Sequence, residues 1–239
     1  MRGRHLSPGS HARCGTHESA TFTRPAVSAR GYTDPVLSVY ALKPAFQGLL
    51  RPFVRRLARI GVTANQVTVL ACVLSAGVGL YATWRIQSRS ALLLLPPFFV
   101  IRMALNAIDG MLAREFHQKS ALGAYLNELC DVVSDAFLYL PFALLPGFDP
   151  LWMGAAIVLA VTSEMAGTVA VMAGASRRYD GPMGKSDRAL VFGALALWIG
   201  LGGDVNSSVS WLFPRLMALL LAVTIANRVR RGLAESRGR

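Results

Sequence analysis

The sequence predicts an all-α integral membrane protein, with six transmembrane helices preceded by a cytoplasmic amphipathic interface helix. Three observations carry this expectation. Hydrophobic residues make up 53% of the 239 positions and charged residues only 16%, a balance too apolar for an ordinary soluble domain. Apolar runs near the ~20 residues needed to cross a bilayer recur from residue 66 onward. The basic residues stand in short clusters between those runs, which is membrane topology. The net charge of +12 is therefore read as orientation rather than as a nucleic-acid face, and no nucleic-acid partner is expected.

Residues 1–35 are rich in Arg, Ser, Gly and Pro and lack an apolar stretch of signal-peptide length, so a disordered basic arm is expected. In 36–60, Leu37, Phe46, Leu50, Phe53 and Leu57 interleave with Lys43, Arg51, Arg55, Arg56 and Arg59. This reads as one or two short amphipathic helices in the interface, broken near Pro44 and Pro52. The membrane domain is placed at 61–228. Its spans are expected at 66–84, 91–112, 121–145, 151–174, 188–203 and 210–227, with a kink at Pro96-Pro97. A basic tail, 229–239, follows. Of the Lys and Arg outside the spans, 21 fall on one side and only Arg85 and Arg89 on the other. The positive-inside rule then puts both termini in the cytoplasm, in a bacterial inner membrane. Cys14, Cys72 and Cys130 are unpatterned, and the four histidines show no helical pairing. Neither set suggests a disulfide or a zinc site.

The segment from Asn106 to Asp131 is the exception to this apolar pattern. It reads Asn106-Ala-Ile-Asp109-Gly110-Met-Leu-Ala113-Arg114, then eight residues, then Gly123-Ala-Tyr-Leu-Asn127-Glu128-Leu-Cys130-Asp131. An acid at the centre of a membrane helix costs roughly 2.5–3.5 kcal/mol. Asp109, Glu128, Asp131 and Asp135 facing lipid would together cost on the order of 10 kcal/mol. They need a partner, and a divalent cation is the obvious one. Asn106 and Asp109 share one helix face, and Asn127, Asp131 and Asp135 step by four along another. Facing stripes of oxygen ligands suit a hard cation, Mg²⁺ or Mn²⁺. Gly110 and Gly123 clear space beside the stripes, and Arg114 and Lys119 add positive charge. A polar helix–helix packing seam is the competing reading. Arg177, Arg178, Lys185 and Arg188 surround Gly181-Pro-Met-Gly-Lys185, either as topology or as a phosphate pocket. Glu164 is mid-span and needs a partner. Arg102 is a candidate partner by depth, and Arg215 is expected to snorkel.

These residues resemble the signature of the CDP-alcohol phosphotransferases, D-x2-D-G-x2-A-R-x8-G-x3-D-x3-D. Here it reads N-x2-D-G-x2-A-R-x8-G-x3-N-x3-D with every spacing kept, and Asn65-Gln-Val-Thr68 is similar to the Asn-x2-Thr that opens the family's first span. The resemblance covers roughly 36–228. It implies a membrane enzyme, commonly a homodimer, that moves a substituted phosphate from a CDP-activated lipid or alcohol to an acceptor alcohol and releases CMP. By position, Asp109 would be a metal ligand and Asp131 a metal ligand and general base. Gly110, Ala113 and Gly123 would leave room for the cytidine and its phosphates, with Arg114, Asn65, Thr68 and Lys185 as further substrate-binding residues. Asn106 and Asn127 stand where the family has aspartates, and their amide oxygens can ligate without charge. Glu128 and Asp135 are the nearby acids that could restore it. Two other readings stay open: a pseudoenzyme decayed at the two Asn positions, with a structural or regulatory role, and a transporter whose acids form an ion pathway.

Overall fold

The computed structural model describes residues 43–205 and 207–238, and every regular element among them is a helix. The expected arm at 1–35, and residues 36–42 of the expected interface helix, lie outside the described residues. In order, the helices are α1 (Lys43–Arg59), α2 (Ala64–Trp84), α3 (Arg89–Leu92), α4 (Leu95–Glu115), α5 (Ala121–Leu144), α6 (Pro150–Met172), α7 (Lys185–Gly200) and α8 (Ser207–Arg237). Among the described residues, four segments are long and apolar enough to cross a membrane: α2, the α3–α4 stretch, α6 and α8. The other two expected spans differ for plain reasons. α5 carries Glu128, Asp131 and Asp135, and α7 is only 16 residues long.

Local chemistry fixes where these helices begin. Thr63 caps α2 through a capping box: its hydroxyl accepts from the Gln66 N–H at 3.3 Å, and the Gln66 side-chain Oε1 accepts from the Thr63 N–H at 2.9 Å. Ser120 caps α5 by accepting from the Gly123 N–H at 2.9 Å, and Asp149 does the same for Leu151 at the start of α6. Gln118 ties the α4–α5 turn to α2, accepting from the Ala64 N–H at 2.7 Å. The expected break near Pro52 is corrected by the structure. α1 runs without a break through Pro52. Pro96 and Pro97 stand in the first turn of α4, where a missing N–H leaves no carbonyl unsatisfied. A turn at Leu93–Leu94 separates α3 from α4 immediately ahead of them.

Packing buries the polar stripes and leaves the apolar faces outward. α2 lies along α5 and α4, α6 along α8 and α5, and α7 along α4. An aromatic core of Phe99, Tyr139, Phe142 and Phe192 joins α4, α5 and α7, with Tyr139 stacked on Phe192 at 4.2 Å between centroids. A second core, including Val54, Val67 and Ile108, seats α1 against α2 and α4. Leu70, Val73, Val100, Val158, Met165 and Leu219 are among the large side chains left exposed. Apolar outer faces around an interior that holds both the apolar cores and the buried charged groups are the arrangement of a protein whose solvent is lipid.

The α2–α5 contact is close enough to require glycine at position 79. A methyl group there would run into the Phe137 carbonyl, whereas one at Gly77 would meet nothing within 4 Å. Gly79→Ala should therefore lower the thermal unfolding temperature of the purified protein, with a cost of about 1–3 kcal/mol from overpacking. Gly77→Ala should leave it unchanged or slightly raise it, since alanine is the better helix former.

Candidate active site

Each side chain of the site is delivered by helical spacing from a fixed helix start. Capping α2 at Thr63 puts Asn65 and Thr68 on one face, three residues apart. The Thr68 hydroxyl lies 2.8 Å from Asp109 Oδ2 and 3.0 Å from the Ala64 carbonyl oxygen, with one hydrogen to donate between them. Asn65 Oδ1 lies where a Gly123 side chain would begin, 2.7 Å from that Cβ position. Gly110 has a similar role on α4, because the Arg114 guanidinium folds over it 3.0 Å from where a Cβ would stand. Ala113 is half-buried on the far side of that turn, and Lys119 is exposed in the loop beyond.

Asp131 is the meeting point of three helices. Lys185 at the start of α7 forms an ion pair with its Oδ1. Asn106 Nδ2 on α4 approaches the same oxygen at 3.3 Å. Arg102 NH2 donates to the Asp131 backbone carbonyl at 3.0 Å and stands 3.7 Å from the carboxylate. Asp109, one turn beyond Asn106, lies within electrostatic reach of both Asp131 and Lys185. Asn127 is half-buried one turn before Asp131 on α5.

The remaining acids are engaged elsewhere. Asp135 is held between Arg102 at 2.6 Å and Arg188 at 2.7 Å. Arg188 is fully buried and bridges Asp135 to Glu164, which it meets at 2.9 Å; it also donates to Ser163 Oγ and the Met183 carbonyl at 3.2 Å each. Arg228 pairs with Glu164 at 3.4 Å. Although expected at the edge of the basic tail, it is buried within α8, which continues to Arg237. Arg177 pairs with Glu128 at 2.7 Å and with Glu164 at 3.5 Å. Glu164 and Arg102 thus have their partners, and Arg215 lies over Trp152 and Trp211 at 4.9 and 4.6 Å.

A second, shallower cluster fastens the α6–α7 loop to α8. Arg178 and Arg231 each reach Asp180 at 2.7 Å, and Arg178 also reaches Glu235 at 2.9 Å. Burial works to raise the Asp180 carboxyl, but the hydrogen bonds from the two arginines outweigh it and hold the group below the usual carboxylate range. Gly181 passes so close to α8, at φ +120°, that a Cβ would lie 2.6 Å from Thr224. This loop carries Arg177 and leads directly into Lys185.

Asp109, Asp131, Asn106 and Asn127 offer two carboxylates and two amide oxygens, with no sulfur or imidazole. Turning the Asn106 amide would present its oxygen where its nitrogen now lies. The chemistry of that donor set suits a hard divalent cation. Among the described residues, no group of three or more His, Cys, Asp or Glu is placed to hold a metal, so any ion here would rely on the amide oxygens as well as the two carboxylates.

The family model of the CDP-alcohol phosphatidyltransferases matches residues 61–227, which include Asn65, Thr68, the Asn106–Asp131 segment and Lys185. The chain belongs to that family. It is 43% identical over 203 residues to the inner membrane protein YnbA of Escherichia coli (strain K12), covering 84% of this chain and 98% of YnbA. A shorter match, 34% identical over 104 residues, links it to an uncharacterized protein of Aquifex aeolicus (strain VF5), covering 44% of this chain and 49% of that one. Its fold is similar to that of Mycobacterium tuberculosis phosphatidylinositol phosphate synthase PgsA1. The crystal structure of PgsA1 with CDP-DAG bound aligns with a TM-score of 0.63 at 20% identity over 76% of this chain and 92% of that one. The complex of PgsA1 with manganese and citrate aligns with the same score, over 76% and 88%. As a CDP-alcohol phosphatidyltransferase, the chain is an integral membrane transferase of substituted phosphate groups.

Arg188 should be the structural centre of this family member's polar core. Arg188→Met removes one charge and leaves Asp135 and Glu164 without their shared partner. A loss of about 3–5 kcal/mol is expected, the cost of breaking a buried ion pair. Thermal unfolding in detergent measures it, and Lys185→Met, at a half-exposed position, should cost less.

Proposed function

We propose that this chain moves a phosphatidyl or phosphoalcohol group from a CDP-alcohol, such as CDP-diacylglycerol, to a hydroxyl acceptor and releases CMP. The observation that carries this reading is the division among the buried acids. Asp135, Glu164 and Glu128 are neutralised by guanidinium groups. Asp109 meets a hydroxyl, and Asp131 an amide and one amine; the Arg102 guanidinium stands 3.7 Å from the Asp131 carboxylate but is committed to Asp135 and to the Asp131 backbone carbonyl, so the two carboxylates remain available for chemistry. Family membership supports the class of donor.

In this reading Asp109 and Asp131, assisted by Asn106 and Asn127, hold a divalent cation, Mg²⁺ or Mn²⁺. Such an ion, when bound, neutralises the diphosphate and stabilises the CMP leaving group. Asp131 accepts the proton of the attacking hydroxyl. The acceptor oxygen forms a bond to phosphorus as the bond to the CMP oxygen breaks, and CMP leaves with that electron pair. Thr68 holds Asp109 in place, Asn65 packs against Gly123, and Lys185 keeps the Asp131 carboxylate oriented. Gly110, Ala113 and Gly123 leave the edge open for the nucleotide, and Arg114 supplies positive charge to its phosphates. The site then lies at the cytoplasmic ends of six spans, with α5 and α7 completing the four apolar ones, α1 in the interface and both termini in the cytoplasm.

Purified full-length protein supplied with CDP-diacylglycerol and a panel of alcohols should release CMP in Mg²⁺ or Mn²⁺, and EDTA should stop the release. Undiminished release in EDTA would remove the cation from the mechanism. Absence of CMP under every metal and acceptor would favour the decayed pseudoenzyme.

A further inference from the structure

The polar core has a charge balance that bears on how many metal ions it can take. Its acids are Asp109, Glu128, Asp131, Asp135 and Glu164. Its cations are Arg102, Arg177, Lys185, Arg188 and Arg228, each within 4 Å of one of those acids. Five carboxylates thus face five cations. A diphosphate diester brings two negative charges near neutral pH, which one divalent ion cancels. A second ion would leave two positive charges uncompensated in a largely buried site, where unpaired charge is costly.

The geometry agrees with that balance. Glu128 and Asp135 are the acids within reach in sequence that could make up for Asn106 and Asn127, yet arginines occupy both. The Lys185 ammonium and the Asn106 amide both approach the same oxygen of Asp131, Oδ1. Thr68 engages one oxygen of Asp109, Oδ2. Each of the two carboxylates therefore has one oxygen engaged by the protein.

We infer that this site holds a single divalent cation, between Asp109 and Asp131, and that the Lys185 ammonium supplies to Asp131 the positive charge a second ion would otherwise bring. The inference rests on the proposed metal role of Asp109 and Asp131. It adds that the two Asn residues and Lys185 together set the number of ions at one.

Mn²⁺ binding to the full-length protein in detergent, saturated with CDP-diacylglycerol and without an acceptor alcohol, followed by electron paramagnetic resonance and equilibrium dialysis, tests this without reference to turnover. One Mn²⁺ per chain with an uncoupled spectrum is expected, and Asp109→Asn should weaken it at least tenfold. Lys185→Gln should tighten Mn²⁺ binding by about tenfold or more, because a like charge beside the ion is removed. The triple variant Asn106→Asp, Asn127→Asp, Lys185→Gln should bind two Mn²⁺ with a spin-coupled signal. Two coupled ions in the unaltered protein would overturn the inference while leaving the metal reading intact. No specific Mn²⁺ would overturn both. Unchanged affinity in Lys185→Gln, or one ion in a folded triple variant, would remove Lys185 and the Asn pair as what limits the count.

Discussion

An ionised side chain inside an apolar helix bundle must meet an opposite charge, and the arrangement of this protein follows from that requirement. Arg188 shows it most plainly. Its guanidinium is fully buried and touches Asp135 of α5, Glu164 and Ser163 of α6 and the Met183 carbonyl before α7. Three helices are thereby held at one depth. Arg102 from α4 and Arg228 from α8 extend the network to both sides. Such pairs add little net stability compared with apolar packing, but they fix which residues face which, since any slip strands a charge. Register is what a catalytic site on several helices needs.

Within that frame, small local devices set the positions of the reactive groups. The capping box at Thr63 decides which residues of α2 face α4 and α5. Thr68 and Asn65 follow from it, one reaching Asp109 and the other lying over Gly123. On the opposite side, the clamp of Arg178, Asp180, Arg231 and Glu235 holds the α6–α7 loop against α8. That loop ends at Gly184, whose N–H donates to Asp187 at 3.1 Å, and α7 then begins with Lys185. The lysine that meets Asp131 is thus positioned by contacts well removed from it.

Much of this was legible in the sequence because charge in an apolar run is conspicuous. Asp109, Asp131 and the spacing between them marked the candidate site, and the hydropathy pattern marked a helical membrane protein. The pairing of the charges was not legible. Nothing in the local sequence says that Asp135 belongs to Arg102 and Arg188, because those contacts join residues 33 and 53 positions apart. Arg228 was hidden for the opposite reason: beside Arg230 and Arg231 it reads as tail, yet it faces inward by helical spacing and meets Glu164. The effect of the prolines depends on position. Pro96 and Pro97 fall in a first turn, where they cost nothing, and Pro52 is accommodated within α1.

The central claim is that the acids of the polar core divide into two kinds: Asp135, Glu164 and Glu128, which arginines hold at 2.6–2.9 Å, and Asp109 and Asp131, which no guanidinium among the described residues approaches closer than 3.7 Å and which are proposed for chemistry. Asp131→Asn and Asp135→Asn are equally conservative changes one turn apart on α5, so comparing them isolates the claim. CMP release and the thermal unfolding midpoint, measured on both purified variants, should move in opposite ways. Asp131→Asn should keep nearly the normal midpoint and lose turnover by about 10²-fold or more. Asp135→Asn should show a clearly lowered midpoint, with turnover at low temperature falling far less. An Asp131→Asn protein that retains its turnover, or an Asp135→Asn protein that keeps its midpoint and loses turnover, would contradict the account.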